Sequence, residues 1–371
     1  KVLQLISKRL RDIIREEDTL ARLSGDEFTL IMEELQHPED ASLLADKLLN
    51  TLAEAIVIDE HKLYVSGSIG ISFYPQDAVD AQSLLKYADT AMYKAKEEGR
   101  NNYQFYAEEM TAFALNRMAM KTNLRQAIDA EEFVIHYQPQ INASTNALVG
   151  VEALVRWAHP TMDFLMPDEF IPLAEETGMI VEIDQWMMRT AMKQVSQWYK
   201  EGLNPGVLGL NISVKQLDKI DFIQKVETCL KRYDFDPKWL ELEITEGQMI
   251  KKSEEVITKL HQINNLGIGI SIDDFGTGYS SLSLLKRLPI NRLKIDRSFI
   301  EDIPDDEEDA GIVKAIIALS KSLKLDLIAE GVETSEQRDF LISHGCINIQ
   351  GHYYTPPIAA EEMRTMLLNH K

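Results

Sequence analysis

Cysteine is nearly absent from this 371-residue chain, which holds only Cys229 and Cys346 and no CxxC spacing. That excludes a disulfide framework and a cysteine-based zinc cluster, and leaves two free thiols suited to a reducing compartment. No uninterrupted apolar run approaches the ~20 residues of a membrane span, and no signal peptide is evident. Basic side chains are also scarce: 39 Lys and Arg stand against 60 Asp and Glu, for a net charge of −21. A sequence-blind grip on a nucleic-acid polymer needs a basic surface and is excluded. A small anionic ligand held by local arginines and metal ions is not. Hydrophobic residues make up 45%, enough for sizeable cores, and the length suits two domains, or one large barrel with a partial domain. The chain opens at Lys1 inside a helical pattern, so it reads as a fragment whose upstream sensor or membrane anchor is missing. The expected setting is the cytoplasm, or the cytoplasmic side of such a membrane protein.

In the first hundred residues, Val2, Leu3, Ile6, Leu10, Ile13 and Ile14 recur at helical spacing, with Lys8, Arg9 and Arg11 on a basic face. Thr19–Leu23 and Phe28–Met32 read as strands joined by a turn at Gly25-Asp26. A second hairpin is expected between Lys62–Val65 and Gly70–Phe73. Leu84 to Glu98 reads as a helix stopped at Gly99. Arg15 and Asp18, three apart, form either an anion-gripping pair or an ordinary surface pair on a helix. Residues 107–130, with Met110, Phe113, Ala114, Met118, Leu124 and Ile128 at helical spacing, read as a helical connector without Gly/Ser-rich flexibility.

From Phe133 the pattern changes to short apolar runs alternating with amphipathic stretches. Candidate strands are Phe133–Gln138, Val149–Val155, Val207–Asn211, Leu240–Thr245, Ile268–Asp273, Arg292–Asp296, Leu325–Glu330 and Cys346–Gln350. Helical patterns lie between most of them, including Asp168–Thr177, Ile183–Glu201, Lys215–Tyr233, Ser253–Leu266, Gly311–Leu323 and Ser335–His344; Tyr279–Leu288 reads as a further helix. Eight strands with intervening helices predict an α/β fold, a (β/α)8 TIM-like barrel.

Polar residues then fall where strands want apolar ones: Glu152, Asn211, Glu243, Asp273, Asp274, Asp296, Glu330 and Gln350. One polar strand end is a cap or a satisfied core group. Eight, over seven strands, converge on the C-terminal face, where barrels place chemistry. Adjacent carboxylates such as Asp273 and Asp274 raise each other's proton affinity unless a cation lies between them. Hard oxygen ligands in this number suit Mg²⁺ or Mn²⁺, and the lack of histidine among them argues against zinc. Lys294, two residues before Asp296, faces the same way. It either orients a metal-bound water and offsets charge on phosphorus, or simply neutralises its neighbours.

Two family resemblances lie on these residues. Arg22-Leu-Ser-Gly-Asp-Glu-Phe28, Gly67-Ser-Ile-Gly-Ile-Ser72 and Ala88–Asn101 resemble the GGDEF family of diguanylate cyclases over most of residues 1–106. The motif reads Ser24-Gly25-Asp26-Glu27-Phe28, with serine where the family has its first glycine, and the family's first strand with its metal-binding aspartate would precede Lys1. The resemblance therefore implies a partial, degenerate α+β domain, non-catalytic and regulatory, with GTP as a candidate ligand near Lys96 and Arg100. It also makes Arg15 and Asp18 a candidate allosteric site for cyclic di-GMP.

Glu152-Ala-Leu-Val-Arg156, Glu241-Leu-Glu-Ile-Thr-Glu246, Asp273–Ser281, Lys294-Ile-Asp296, Ala329–Thr334 and Gln350-Gly351 resemble the EAL family of cyclic di-GMP phosphodiesterases over about residues 125–365. What this implies is an EAL-type barrel over residues 131–371 that hydrolyses cyclic di-GMP to linear pGpG with two divalent cations. Glu152, Asn211, Glu243 and Asp273 would hold one metal, with Asp273 bridging to a second near Asp274, Asp296 and Glu330. Lys294 would act on the attacking water, so the implied catalytic set is Glu152, Lys294 and Glu330. Gln138, Leu154, Arg156 and Gln350 would meet the substrate. Glu246 and Glu333 would support the site, Glu246 by steadying the Asp274–Ser281 loop. The Gly276–Ser283 loop and its helix help relatives dimerise, so a homodimer is expected. Gly247 and His352 depart from the family's usual residues, and no essential position is lost. The rival expectation is a receptor that binds cyclic di-GMP without hydrolysing it and signals through the connector.

Overall fold

The computed structural model describes residues 1–369 apart from 16, 34, 36–37, 59–60, 162, 247–253 and 278–284. Side chains at 38–39, 57–58, 61, 108–118 and 163 lie outside the described set as well. The chain divides into two compact units, Lys1–Met120 and Lys121–Lys371.

In the first unit, helix α1 (Val2–Arg11) ends one turn before the expected Ile14. Arg9 on its basic face donates to the carbonyls of Thr51, Glu54 and Ala55, at the C-terminus of α2 (Pro38–Ala53). A cation there satisfies orphan carbonyls and suits the helix dipole. The hairpin β1 (Thr19–Ser24) and β2 (Glu27–Ile31) forms as expected, with Gly25 at φ +45° in its turn. Arg22 fastens that turn through the Gly25 carbonyl, at 2.6 and 2.9 Å. The second expected hairpin is overturned. β4 (His61–Leu63) pairs back on β3 (Ile56–Ile58), whereas β5 (Ile69–Ile71) pairs in parallel with β6 (Tyr103–Phe105). Parallel strands need a long crossover, which helix α3 (Ala81–Glu97) supplies. A Cβ on Gly70 would lie 1.9 Å from the Ala88 carbonyl oxygen, so the strand meets this helix at glycine-only distance.

Helix α4 (Glu108–Ala130) covers the expected connector. Its apolar stripe at Met110, Phe113, Ala114 and Met118 lies outside the described side chains, while Leu124 and Ala127 are fully buried.

The second unit is a closed eight-stranded barrel. In chain order come β7 (Phe133–Asn142), β8 (Ala147–His159), a short outer β9 (Asp163–Leu165), α5 (Pro167–Thr177) and α6 (Ile180–Lys200). There follow β10 (Val207–Asn211), α7 (Val214–Leu217), α8 (Phe222–Tyr233), β11 (Leu240–Thr245), α9 (Glu254–Asn265) and β12 (Gly269–Phe275). The barrel ends with β13 (Arg292–Ile295), α10 (Glu307–Leu323), β14 (Asp326–Ala329), α11 (Ser335–His344) and β15 (Asn348–Ile349), then β16 (Ile358–Ala359) and α12 (Ala360–Asn369). Strands β8 and β10 to β15 run parallel in sequence around the barrel. Strand β7 closes it, antiparallel to both β8 and β15. The first βα unit of the (β/α)8 expectation is therefore a hairpin. The helix expected over Lys215–Tyr233 is two helices, and the one expected over Tyr279–Leu288 lies mostly outside the described residues.

Period-two alternation sorts the strands. Outward residues such as Val151, Ala153, Trp157, Leu208, Leu242, Ile270 and Leu293 are at most 1% exposed beneath the helices. Against them α6 sets Ile183, Met187, Met188, Ala191, Met192, Val195 and Trp198 at three- and four-residue spacing. Fully burying each large aliphatic side chain contributes roughly 1.5–3 kcal/mol. Boundaries follow caps: Asp306 accepts from Glu308 and Asp309 N–H at 2.8 and 2.9 Å, starting α10 a turn before the expected Gly311. Among the described residues no helix is long and apolar enough to cross a membrane.

Candidate active site

The inward face carries the polar residues. On β8, Glu152, Leu154 and Arg156 alternate up the interior toward the C-terminal mouth, with Glu152 buried and Leu154 and Arg156 half-buried above it. Register sets Gly209 beside Glu152 and Asn211 beside Glu243. Glycine at 209 makes the site possible, because a Cβ there would lie 2.2 Å from Glu243 Oε1.

Lys294 is the centre. Completely buried, it lies 2.5 Å from Glu243 Oε2, 2.7 Å from Glu330 Oε1, 3.1 Å from Asp273 Oδ1 and 3.3 Å from Glu152 Oε2. Three N–H donors thus face four carboxylates. Burial pushes the ammonium toward neutrality, but the four carboxylates override it and hold its pKa well above the ordinary lysine range. The carboxylates divide. Burial raises Glu152, yet Lys294 with hydrogen bonds from Gln350 (2.6 Å) and Asn211 (2.7 Å) leaves it below its usual value. Glu243 is held well above it by burial and by Glu152, and Glu330 by burial and by Asp273.

Asp273 and Asp274 owe their shared direction to an irregularity in the β12–β13 pairing between Ile272 and Phe275, with Asp274 at φ +54°. Strict alternation would send consecutive residues to opposite faces; a bulge re-aims them. Burial, then Asp273 and Asp296, push Asp274 up to about 7. At the turn that follows, buried Glu246 accepts from Gly276 N–H at 2.8 Å. Residues 278–281 of that loop, and with them the expected dimer contact, lie outside the described residues, as does Gly247.

Other expected residues are placed less centrally. Asp296 lies just past β13, where its Oδ1 caps a 3₁₀ turn by accepting from Ser298 N–H at 3.0 Å. Gln138 is buried and accepts from Gln350 Nε2 at 3.0 Å. Burial lowers the Arg156 guanidinium against the pull of Asp168 and Glu152. Glu333 is exposed, held by its backbone N–H to Gln337. Arg15 and Asp18 lie beyond α1 in an exposed turn closed by Asp18 on the Arg15 N–H at 3.0 Å, so they do not share a helix face. Ser24, Asp26 and Glu27 are exposed at the hairpin, Ser24 donating to Glu27 at 3.1 Å, with Phe28 half-buried behind them.

The donor set fits divalent cations. Carboxylate oxygens of Glu152, Glu243 and Asp273 lie within 4.8 Å of one another, as do those of Asp273, Asp274 and Glu330, so the two sets share Asp273. Glu243 Oε1 is buried with no hydrogen-bond partner among the described residues. An orphaned carboxylate oxygen is costly unless something electropositive meets it.

Sequence reasoning overlooked a second tier. Gln140, Glu241 and Arg292 face inward two residues from Gln138, Glu243 and Lys294, and the same alternation would have found them. It also overlooked Asp184 on α6, buried and accepting from both Ser213 N–H and Oγ–H. Nothing in the local pattern marks Asp184, whose partner Ser213 lies far along the chain at the N-cap of α7.

The fold and the site together define a TIM-like α/β barrel with an acidic, lysine-centred mouth whose donor set fits divalent cations. Residues 121–357 match the EAL domain family and residues 1–102 the diguanylate cyclase GGDEF domain; the chain belongs to the EAL family, preceded by a GGDEF region. It is 42% identical over 358 residues to the bifunctional diguanylate cyclase/cyclic di-GMP phosphodiesterase MucR of Pseudomonas aeruginosa, covering 96% of this chain and 52% of that protein. It is 34% identical to the cyclic di-GMP phosphodiesterase PdeR of Escherichia coli, covering 97% and 54%. A solved structure of the MucR phosphodiesterase in complex with c-di-GMP superposes with a TM-score of 0.64 at 42% identity, over 66% of this chain and 99% of that one. The chain thus spans about half the length of the curated relatives it matches.

Proposed function

We propose that this chain is a cyclic di-GMP-specific phosphodiesterase that opens one phosphodiester to give linear pGpG. The observation that carries the reading is the pair of carboxylate sets sharing Asp273 around buried Lys294. A shared carboxylate is what two neighbouring cations require. Glu152, Asn211, Glu243 and Asp273 would hold the first cation, and Asp273, Asp274, Asp296 and Glu330 the second. Two Mg²⁺ or Mn²⁺ ions would supply an activated water and a clamp for charge developing on phosphorus. Lys294 draws the carboxylates together and favours their ionised forms, and would face the attacking water. Leu154 and Arg156, on the face above Glu152, receive the substrate, Arg156 as a donor fork for phosphate; Gln350 and Gln138 close the floor. Glu246 holds the Gly276 turn, and Glu333 has a lesser supporting role.

For the rest of the chain we read residues 1–106 as a non-catalytic, regulatory region, residues 107–130 as its connector, and residues 131–371 as the enzyme. GTP at the first region, cyclic di-GMP at Arg15 and Asp18, a homodimer, and an upstream sensor belong to the same reading.

The test is turnover of cyclic di-GMP with Mg²⁺ or Mn²⁺, products separated by chromatography, with Glu152→Ala alongside. Metal-dependent pGpG from the parent and none from the variant is expected. Tight binding without product under either metal would move the chain to the class of non-hydrolysing receptors. Full activity in Glu152→Ala would refute the site.

A further inference from the structure

Beneath the carboxylates the barrel is filled by a polar column rather than by the branched aliphatics usual in such cores. Arg292 Nη1 donates to Glu241 Oε1 at 2.9 Å and to Gln140 Oε1 at 3.4 Å. Gln140 Nε2 donates to Gln350 Oε1 at 3.1 Å. Gln350 Nε2 donates to Glu152 Oε2 at 2.6 Å and to Gln138 Oε1 at 3.0 Å. Gln140, Gln350, Glu152 and Glu241 are each at most 4% exposed. Neighbouring strands make room: a Cβ on Gly150 would lie 2.7 Å from Gln140 Oε1, and one on Gly269 3.3 Å from Glu241 Oε2.

Every link in this column has a fixed polarity. An amide's oxygen and nitrogen have nearly the same shape, so only its partners decide which way it faces. Arginine can only donate and an ionised carboxylate can only accept. Arg292, anchored by Glu241, therefore claims the oxygen of Gln140 and turns its NH₂ upward. That NH₂ claims the oxygen of Gln350 and turns the second NH₂ onto Glu152. Were Gln350 reversed, its oxygen would face a buried carboxylate.

We propose that Glu241, Arg292 and Gln140 form a relay that sets the amide orientation of Gln350, and through it positions the Glu152 carboxylate. Glu241, Arg292 and Gln140 are positioning residues acting from the closed end of the barrel on its open end. The relay rests on the metal site proposed above but not on the identity of the substrate.

The experiment is calorimetric titration of the full chain with MnCl₂, without nucleotide, for the parent, Gln140→Met, Gln350→Met and the double variant, with thermal melting as a check on folding. Partners one step removed from a metal ligand typically matter 10–100-fold, so Gln140→Met should weaken Mn²⁺ about 10-fold. The decisive result is non-additivity: the double variant should bind no more weakly than Gln350→Met alone. Losses that multiply, or an unchanged affinity in Gln140→Met, overturn the relay, as does a parent that does not bind Mn²⁺. Should Gln140→Met fail to fold, Gln140→Glu keeps the shape while replacing the donor with an acceptor, and it should weaken Mn²⁺ at least as much. A parent that shows the coupled affinities but releases no pGpG refutes the proposed reaction and leaves the relay standing.

Discussion

Replacing Lys294 with methionine removes one cation from a site where four carboxylates converge on it within 3.3 Å. Methionine keeps the length of the stem, so the change is electrostatic rather than a cavity. Deleting one partner of a buried ion pair typically costs about 3–5 kcal/mol, because the remaining charge is stranded. Here the stranded groups can take up protons instead, as Glu243 and Glu330 already tend to do. The loss should therefore be larger at pH 8, where protonating them is costly, than at pH 5. All four tryptophans, Trp157, Trp186, Trp198 and Trp239, belong to the second unit, so their fluorescence reports on the barrel alone. In urea, with a slope of roughly 3 kcal/mol per molar, the metal-free variant should unfold about 1–1.7 M earlier than the parent at pH 8. An unchanged midpoint at pH 8, or a larger deficit at pH 5, would refute the reasoning.

Three further outcomes are expected. Mn²⁺ affinity measured by titration should rise as pH passes through the Asp274 value of about 7, with protons released, because the ligands must be deprotonated to bind; a flat profile between pH 6 and 8 contradicts it. Asp184 is raised by burial from 3.8 to about 7, a displacement worth roughly 4 kcal/mol. Its folded form binds more protons than its unfolded form, so its contribution is complete below about pH 4 and is lost as pH rises through 7; Asp184→Asn should flatten the fall in urea midpoint over that window. Gly209→Ala, whose Cβ would lie 2.2 Å from Glu243 Oε1, should weaken Mn²⁺ at least about 10-fold, and an unchanged affinity would show that Glu243 is free to move aside.

What the chain's pattern made legible was whatever local chemistry decides alone. Strands β10 and β11 and helix α11 begin and end where expected, α11 because Thr334 and Gln337 form a capping box and Gly345 takes φ +96° at its end. The inward residues of the mouth stood out because a carboxylate on an otherwise apolar strand is costly to bury without a partner or a cation. The reversed β7 was not found, though only Ala143 to Asn146 separate it from β8, far too few for a parallel crossover. Its polar and apolar residues alternate as they would in either direction, and only the connection length carries the sign. The pairing of β5 with β6 was hidden for the opposite reason: its partner lies beyond a whole helix, and a nearby strand looked like the simpler mate.

The reversal of β7 also settles which end of the barrel the polypeptide comes in by. Phe133 pairs with Trp157, and Ala158 N–H reaches back to the Glu132 carbonyl at 2.9 Å, so the residues leaving α4 arrive at the rim where β8 finishes. With a first strand parallel to the rest, the same residues would have threaded in underneath, a full strand length from the carboxylates. The incoming segment is instead a neighbour of the mouth, joined to it by Asn123 on His159 at 3.4 Å and by Arg125 on Glu182 at 2.6 Å. A tug or twist on residues 121–132 would be delivered to the doorway of the site before it reached the foundations.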